Sequence, residues 1–286
     1  MENYKIRVFG WGLVGSEAVG LMAKSFQSNE YVSVEFMVAD YNSDIRKYSA
    51  DNVKARVLGA SYSPADYELK EISEFFDGAN FAYICTGMGE ANSSRIVSAV
   101  SEIAKESGAF TICAYTMPFV FESSEKVKAA EEQREKLMDK VDAMVEVPKP
   151  SNMRGMGITQ VFEIIDERFR EIVQMTPDLC DGEYYMCADI DNFRAVLRGV
   201  QNARFITETV CDENKFQALA EKLSEIIPEN TKRAVVHFSC ANDITVSEFN
   251  DLYDSLNKVL DENAKVVTSV SLIPEDRISV SIIAAD

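Results

Sequence analysis

Apolar residues in the first half of the chain gather into short runs, and the segments between those runs carry a longer, helical spacing. Lys5–Phe9, Val32–Val38, Asn80–Thr86, Ala109–Thr116 and Ala143–Val147 are predicted strands, rich in β-branched and aromatic side chains. Between them, helices are predicted from about Ser16 to Phe26, Ser93 to Ser107 and Ser124 to Val141. The last of these is polar around much of its surface, with opposite charges four apart such as Glu132 and Lys136. The stretch from Tyr41 to Phe76 is less regular and accommodates one strand and one helix. Strands alternating with helices at this spacing predict a parallel sheet covered on both faces.

Pro148 and Pro150 punctuate the chain before a further helix at about Ile158–Gln174, and a polar stretch follows around Thr176–Glu183. A helix near Asp191–Val200 comes next, and then the order changes. A strand near Arg204–Thr209, a helix at Lys215–Ile227, a strand at Ala234–Cys240 and a helix at Ser247–Asn263 precede two closing strands, Ala264–Leu272 and Arg277–Ala285. That order predicts a smaller α+β layer. We place the domain boundary near residue 182, giving 1–182 as a parallel-sheet α/β domain and 183–286 as a linking helix with a C-terminal α+β domain. No internal repeat is visible.

Composition narrows the chemistry. The 286 residues include 29 Lys and Arg against 47 Asp and Glu, a formal charge of −18. Such a balance opposes binding to a phosphate backbone or an anionic membrane surface, since both are held by neutralising cations. No apolar stretch approaches the roughly 18 residues of a membrane helix, so a cytoplasmic protein is expected. The single histidine, His237, lies in the apolar run Ala234–Cys240, where alternation puts Val235, His237 and Ser239 on one face of a half-buried strand. The six cysteines form no C-x-x-C pair, and Cys85, Cys113 and Cys240 fall inside strand-like runs. A zinc site, a thiol enzyme and a histidine-based nucleophile therefore all lack ligands or partners.

Gly10-Trp11-Gly12-Leu13-Val14-Gly15 matches G-x-G-x-x-G directly between a predicted strand and a predicted helix. One reading is a dinucleotide site, with the pyrophosphate on the helix N-terminus and Asp40, at the end of the second strand, on the ribose of NAD(P). An oxidoreductase built that way needs a catalytic acid or base, and none stands out. A second reading is a tight strand-to-helix turn that holds no ligand.

The order of the remaining motifs carries a resemblance. Ala79–Glu122 reads ANFAYICTGMGEANSSRIVSAVSEIAKESGAFTICAYTMPFVFE, in which a strand ends in Gly87-Met88-Gly89, a helix follows, and a later strand leads to Pro118-Phe119-Val120-Phe121-Glu122. With the opening IRVFGWGLVGSEAVGLM and the helix VFEIIDERF (Val161–Phe169), this resembles the FtsZ branch of the tubulin superfamily along nearly the whole chain. The resemblance implies an α/β, FtsZ/tubulin-like fold: a Rossmann-type parallel sheet domain, a linking helix and a smaller α+β domain. It implies GTP or GDP as ligand. Gly10, Gly12, Gly15, Gly87, Met88, Gly89 and Asn92 would lie at the phosphates, and Glu122 at the ribose. Lys126 stands where an arginine is usual. Phe162 would stack on guanine and Asp166 would accept from its edge; four apart on a helix, the two share a face.

The phosphate side departs from the family pattern of interleaved glycines and threonines. The stretch Gly89-Glu90-Ala91-Asn92-Ser93-Ser94-Arg95 brings a carboxylate, and at ~5 Å with an effective dielectric near 20 that costs about 3 kcal/mol against a phosphate. Leu13 and Val14 replace glycines, and Glu17 adds charge on the same helix. The family's acidic catalytic loop stands here as Cys187-Ala188-Asp189-Ile190-Asp191-Asn192, with Asp189 in place and Asp191 one position early; an Asp- and Asn-rich helix start that merely caps explains the stretch equally. The implied protein is cytoskeletal, self-associating head to tail as a homopolymer or dimer. Its GTP binding and hydrolysis are weak or lost, and it attaches to no membrane directly. An active polymerising GTPase and an NAD(P)-binding oxidoreductase are the alternatives.

Overall fold

The computed structural model of the protein describes residues 4–26, 31–49, 52–58, 66–89, 93–150, 153–180, 189–211, 213–242 and 244–286. It divides into two compact units, Met1–Val173 and Gln174–Asp286. The boundary expected near residue 182 lies outside the described residues, as do Glu90 and Asn92.

The first unit runs β1 (Tyr4–Trp11), α1 (Gly12–Ser25), β2 (Val32–Asp40), a short 3-10 turn (Ser43–Tyr48), β3 (Val53–Val57), α2 (Asp66–Phe76), β4 (Phe81–Gly87), α3 (Ser93–Glu106), β5 (Phe110–Thr116), α4 (Ser124–Leu137) and β6 (Ala143–Glu146). The first part of α5 (Ile158–Cys180) completes it. Its strands lie in the order β3-β2-β1-β4-β5-β6, every pair parallel. The central strands β4 and β5 are buried along almost their whole length, so successive side chains on both faces are covered. Their near-continuous apolar sequences follow from that double burial.

Several boundaries differ from those expected. α1 starts at Gly12 rather than Ser16, because β1 runs on through Trp11 and Gly12, at φ +69°, turns the chain at once. α4 stops at Leu137, four residues early. α5 continues past Gln174 to Cys180 with Pro177 inside it, since Met175, Thr176 and Leu179 prolong its buried face.

In the second unit the end of α5 is followed by α6 (Ile190–Leu197), β7 (Val200–Val210), α7 (Lys215–Ile226), β8 (Arg233–Ala241), α8 (Val246–Val259), β9 (Lys265–Ile273) and β10 (Ile278–Ala285). α6 ends at Leu197 and β7 already begins at Val200, with Gly199 at φ +76° between them. The strand order is β7-β10-β8-β9, antiparallel on both sides of β10 and parallel between β8 and β9. Leu219 and Leu223 of α7 and Leu252 and Leu256 of α8 form one core with Val236, Phe238, Val280 and Ile282 of the strands. Thr245 and Glu248 close a reciprocal capping box at the start of α8.

His237 belongs to the same sheet but carries a polar cluster instead. It is buried, with Nδ1 2.8 Å from Ser269 Oγ and Nε2 3.1 Å from Ser271 Oγ and 3.5 Å from Asp178 Oδ2. Burial pushes its pKa down, and the Asp178 charge opposes that shift. The strand-histidine reading accounts for all of these contacts.

Candidate functional site

The strand order of the first unit reverses between β1 and β4, and in parallel sheets ligands bind at the carboxyl ends of strands flanking such a switch. A pocket of about 320 Å³ opens there, lined from the starts or ends of several elements. α1 supplies Leu13, Val14 and Glu17; the end of β4 supplies Gly87 and Met88. The segment after β5 supplies Thr116 to Phe119 with Phe121 and Glu122, and α4 supplies Lys126. Lys149 follows β6, and α5 contributes Ile158, Phe162, Ile165 and Asp166.

The glycine-rich turn is built by close packing. A Cβ on Gly15 would lie 2.0 Å from the Cys85 carbonyl oxygen of β4, and one on Gly10 would lie 2.3 Å from the Gly15 carbonyl oxygen. Helix, turn and sheet backbones are therefore in direct contact, which only glycine permits. Gly10, Gly12 and Gly15 do not line the pocket; the side chains of Leu13 and Val14 do. Leu13 is 61% exposed, and Val14 rests against Gly87. Trp11 is buried, its indole N–H donating to Ser93 Oγ at 3.0 Å and its ring edge-on to Tyr41 at 5.2 Å.

Glu122 is held from two sides: Oε2 accepts the Phe119 N–H at 2.7 Å and Oε1 pairs with Lys126 Nζ. Burial pushes its pKa up, but these bonds and the charges of Lys126 and Lys149 outweigh that and leave it below the usual carboxylate range. Gly89, at φ +92°, donates its N–H to Gln133 of α4 at 3.1 Å, and Met88 donates to the Thr116 carbonyl at 2.9 Å. Gly89 thus braces the loop after β4 without lining the pocket. Lys149 Nζ donates to the Met117 carbonyl and, at 2.7 Å, to the Pro118 carbonyl, and it lies 4.5 Å from the centre of the Phe119 ring. Burial lowers its pKa, while Glu122 and Glu146 oppose the shift. Phe119 meets Phe162 edge to face at 5.9 Å, making an aromatic wall.

Asp166 is the electrostatic outlier. Burial, then the charges of Glu17 and Glu163, push its pKa to about 7. Among the described residues none donates a hydrogen bond to its carboxylate. A raised native pKa means that the folded chain binds the proton more tightly than the unfolded one between pH 3.8 and about 7, so stability falls as pH rises through that window. Asp166→Asn, which mimics the neutral acid, is expected to leave stability at pH 3, below the window, nearly unchanged. At pH 8 it should add about 2 kcal/mol, after discounting for partial exposure. Urea melts at the two pH values check this.

The pocket therefore brings together Gly87, Met88, Glu122, Lys126, Phe162 and Asp166 from the sequence reading. Asp189 and Asp191 belong to the second unit: Asp189 caps α6 by accepting the Asp191 N–H at 2.9 Å, and Asp191 pairs with Arg194 at 3.2 Å. Asp40 does not line the pocket; its carboxylate accepts the Asn42 N–H at 3.1 Å. Lys149 went unrecognised in the sequence, where its signal was a cation fixed between two prolines just after a strand.

A parallel nucleotide-binding-type sheet with a pocket at its switch point, followed by a long helix and a four-stranded α+β unit, defines the FtsZ/tubulin class of fold. No family model matches the chain. It is 24% identical to the cell division protein FtsZ of Pseudomonas aeruginosa across 98% of its own length and 76% of that protein's, and 25% identical to FtsZ of Coxiella burnetii across 99% and 78%. Among solved structures, the W319Y mutant of FtsZ from M. jannaschii superposes with a TM-score of 0.85 at 20% identity, covering 99% of this chain and 91% of that one. A GTPγS-bound protofilament of CetZ2 from Haloferax volcanii gives 0.78 at 13% identity, covering 98% and 92%. The chain thus has the FtsZ/tubulin-like fold and is similar in sequence to FtsZ along nearly its whole length. Among the described residues no helix is long and apolar enough to cross a membrane.

Proposed function

We propose that this chain is a cytoskeletal-type protein that associates head to tail with copies of itself and has weak or lost GTP binding and hydrolysis. The observation that carries the reading is the pocket lining. Where a phosphate-binding loop offers bare backbone N–H groups, Leu13 and Val14 present apolar side chains, and Glu17 adds a carboxylate. Glu122 and Lys126 are already engaged with each other. A polyanion entering here loses its hydration and gains few donors. The self-association reading draws support from the family and from the protofilament and dimer described for CetZ2 and FtsZ. Head-to-tail contacts are heterologous, and where their rotation does not close a ring they generate open polymers.

The test is sedimentation and electron microscopy of the purified protein, after identifying by mass spectrometry any small molecule released on denaturation. Filaments or pelletable oligomers are expected without added nucleotide, with little change on adding GTP and little phosphate release. Assembly that requires GTP and turns it over would replace this reading with that of a working polymerising GTPase. A monodisperse monomer under all conditions would refute self-association.

A further inference from the structure

We propose that the groove between α7 and α8 of the second unit is a docking site for a cationic amphipathic helix of a partner protein. Strands β7 and β8 both run antiparallel to β10, and β9 runs parallel to β8. α7 and α8 each connect two strands of one direction, so both helices return the opposite way, parallel to each other. Their inner faces share one core on the sheet through Leu219, Leu223, Leu252 and Leu256. Their outer faces leave a groove of about 620 Å³. Gln217, Ala220 and Ser224 line one wall and Asp251, Ser255 and Val259 the other, each set at helical spacing. At 1.5 Å per residue the lined stretch is a trough of ~17 Å, about three helical turns. The small side chains of Ala220, Ser224 and Ser255 admit a third helix, and Phe216 and Val259 give it an apolar floor.

The charge of the groove selects its occupant. Glu213, Glu221, Glu248 and Asp251 line it against one ammonium group, that of Lys258. Both lysines of α7 are turned to other partners: Lys215 pairs with Asp276 at 2.6 Å, and Lys222 pairs with Glu208. Bonds from Thr245 hold the Glu248 carboxyl below the usual carboxylate range, so it is ionised. Among the described residues no three acidic side chains converge to hold a metal ion, so this charge is spread along the trough. An extended cation matches that distribution, and a point charge does not. A second copy of the chain, at −18, brings net charge of the same sign. A helix whose lysines or arginines flank an apolar stripe meets both the floor and the walls. The groove lies on a different unit from the switch-point pocket, and the proposal stands whether or not that pocket holds a nucleotide.

The experiment titrates the full-length chain, at neutral pH and about 0.15 M salt, into a fluorescently labelled synthetic helix. The probe is about four turns long, with leucines along one face and lysines on both sides of them. Saturable binding by anisotropy is expected. A peptide of the same composition in shuffled order, without the apolar stripe, should bind at least about tenfold more weakly. Glu221→Lys with Asp251→Lys should weaken the ordered peptide at least about tenfold. Asp77→Lys with Glu106→Lys makes the same change of charge at exposed positions of the first unit, and should leave the affinity within about twofold. Thermal melts show whether each variant is folded, and Ser255→Trp, which fills the trough without altering its charge, supplies a second, independent loss. No saturable binding, equal binding of the shuffled peptide, or equal losses from the two charge reversals would overturn the proposal. So would altered sedimentation of the chain alone on Glu221→Lys with Asp251→Lys, since the groove would then be a contact between copies.

Discussion

Gly15→Ala is expected to cost the first unit about 3 kcal/mol or more, and to lower its melting temperature by on the order of 10 °C. The added methyl would meet the Cys85 carbonyl oxygen at 2.0 Å, a contact with sheet backbone that no rotamer change relieves. Either α1 lifts away from β4 or the turn deforms, and both break the contact between Gly10 and Gly15 that seats the helix. Leu13→Gly is the informative comparison. It places a poor helix former in the first turn but removes an exposed side chain, so its cost should stay near 1 kcal/mol. Thermal melts of the two variants, followed by circular dichroism, decide the matter. Equal, small losses would mean that the glycine spacing serves a bound ligand and not the packing of α1.

His237→Ala is expected to destabilise the second unit by about 2–4 kcal/mol. The imidazole fills buried space between β8 and β9 and bonds Ser269 and Ser271, so its loss leaves a cavity and removes the imidazole partner of both hydroxyls, Ser271 keeping Ser239. The pH signature is more specific. His237 has its pKa lowered, so the unfolded chain binds this proton more readily than the folded one, and wild-type stability falls as pH drops below about 6.5. The variant loses that dependence and keeps the opposite one from Asp166, whose raised pKa favours the folded state at low pH. Denaturant melts from pH 5 to 8 separate the two slopes. A variant that retained the wild-type acid sensitivity would assign it to some other group.

The strands of both units were legible because burial writes itself into sequence as uninterrupted apolar runs, as in Phe81–Thr86 and Phe110–Thr116. Helix ends were less so. α1 begins four residues earlier than its apolar spacing suggests, since Gly12 allows an immediate turn and leaves no separate loop. α5 passes through Pro177 because its buried face continues to Leu179, a tertiary constraint that local propensity does not contain. At the site, the glycine motif was visible but its physical reason, the approach of α1 to the Cys85 carbonyl, depends on a strand seventy residues away. The character of Asp166 was equally hidden. Its carboxyl is raised by burial and by Glu17, which comes from α1, and no pattern within α5 records that neighbour.

Trp11 gives the molecule an optical handle. It is the single tryptophan beside eleven tyrosines, so light absorbed at the red edge of the aromatic band excites one indole. That indole is buried at the end of β1, one residue before the turn into α1, with its N–H on Ser93 at the start of α3 and its ring against Tyr41. Its emission wavelength reports whether this hydrogen bond and this dry environment persist, and its lifetime reports on the adjoining ring. Fluorescence therefore reads the glycine-rich turn directly, while the rest of the chain stays dark.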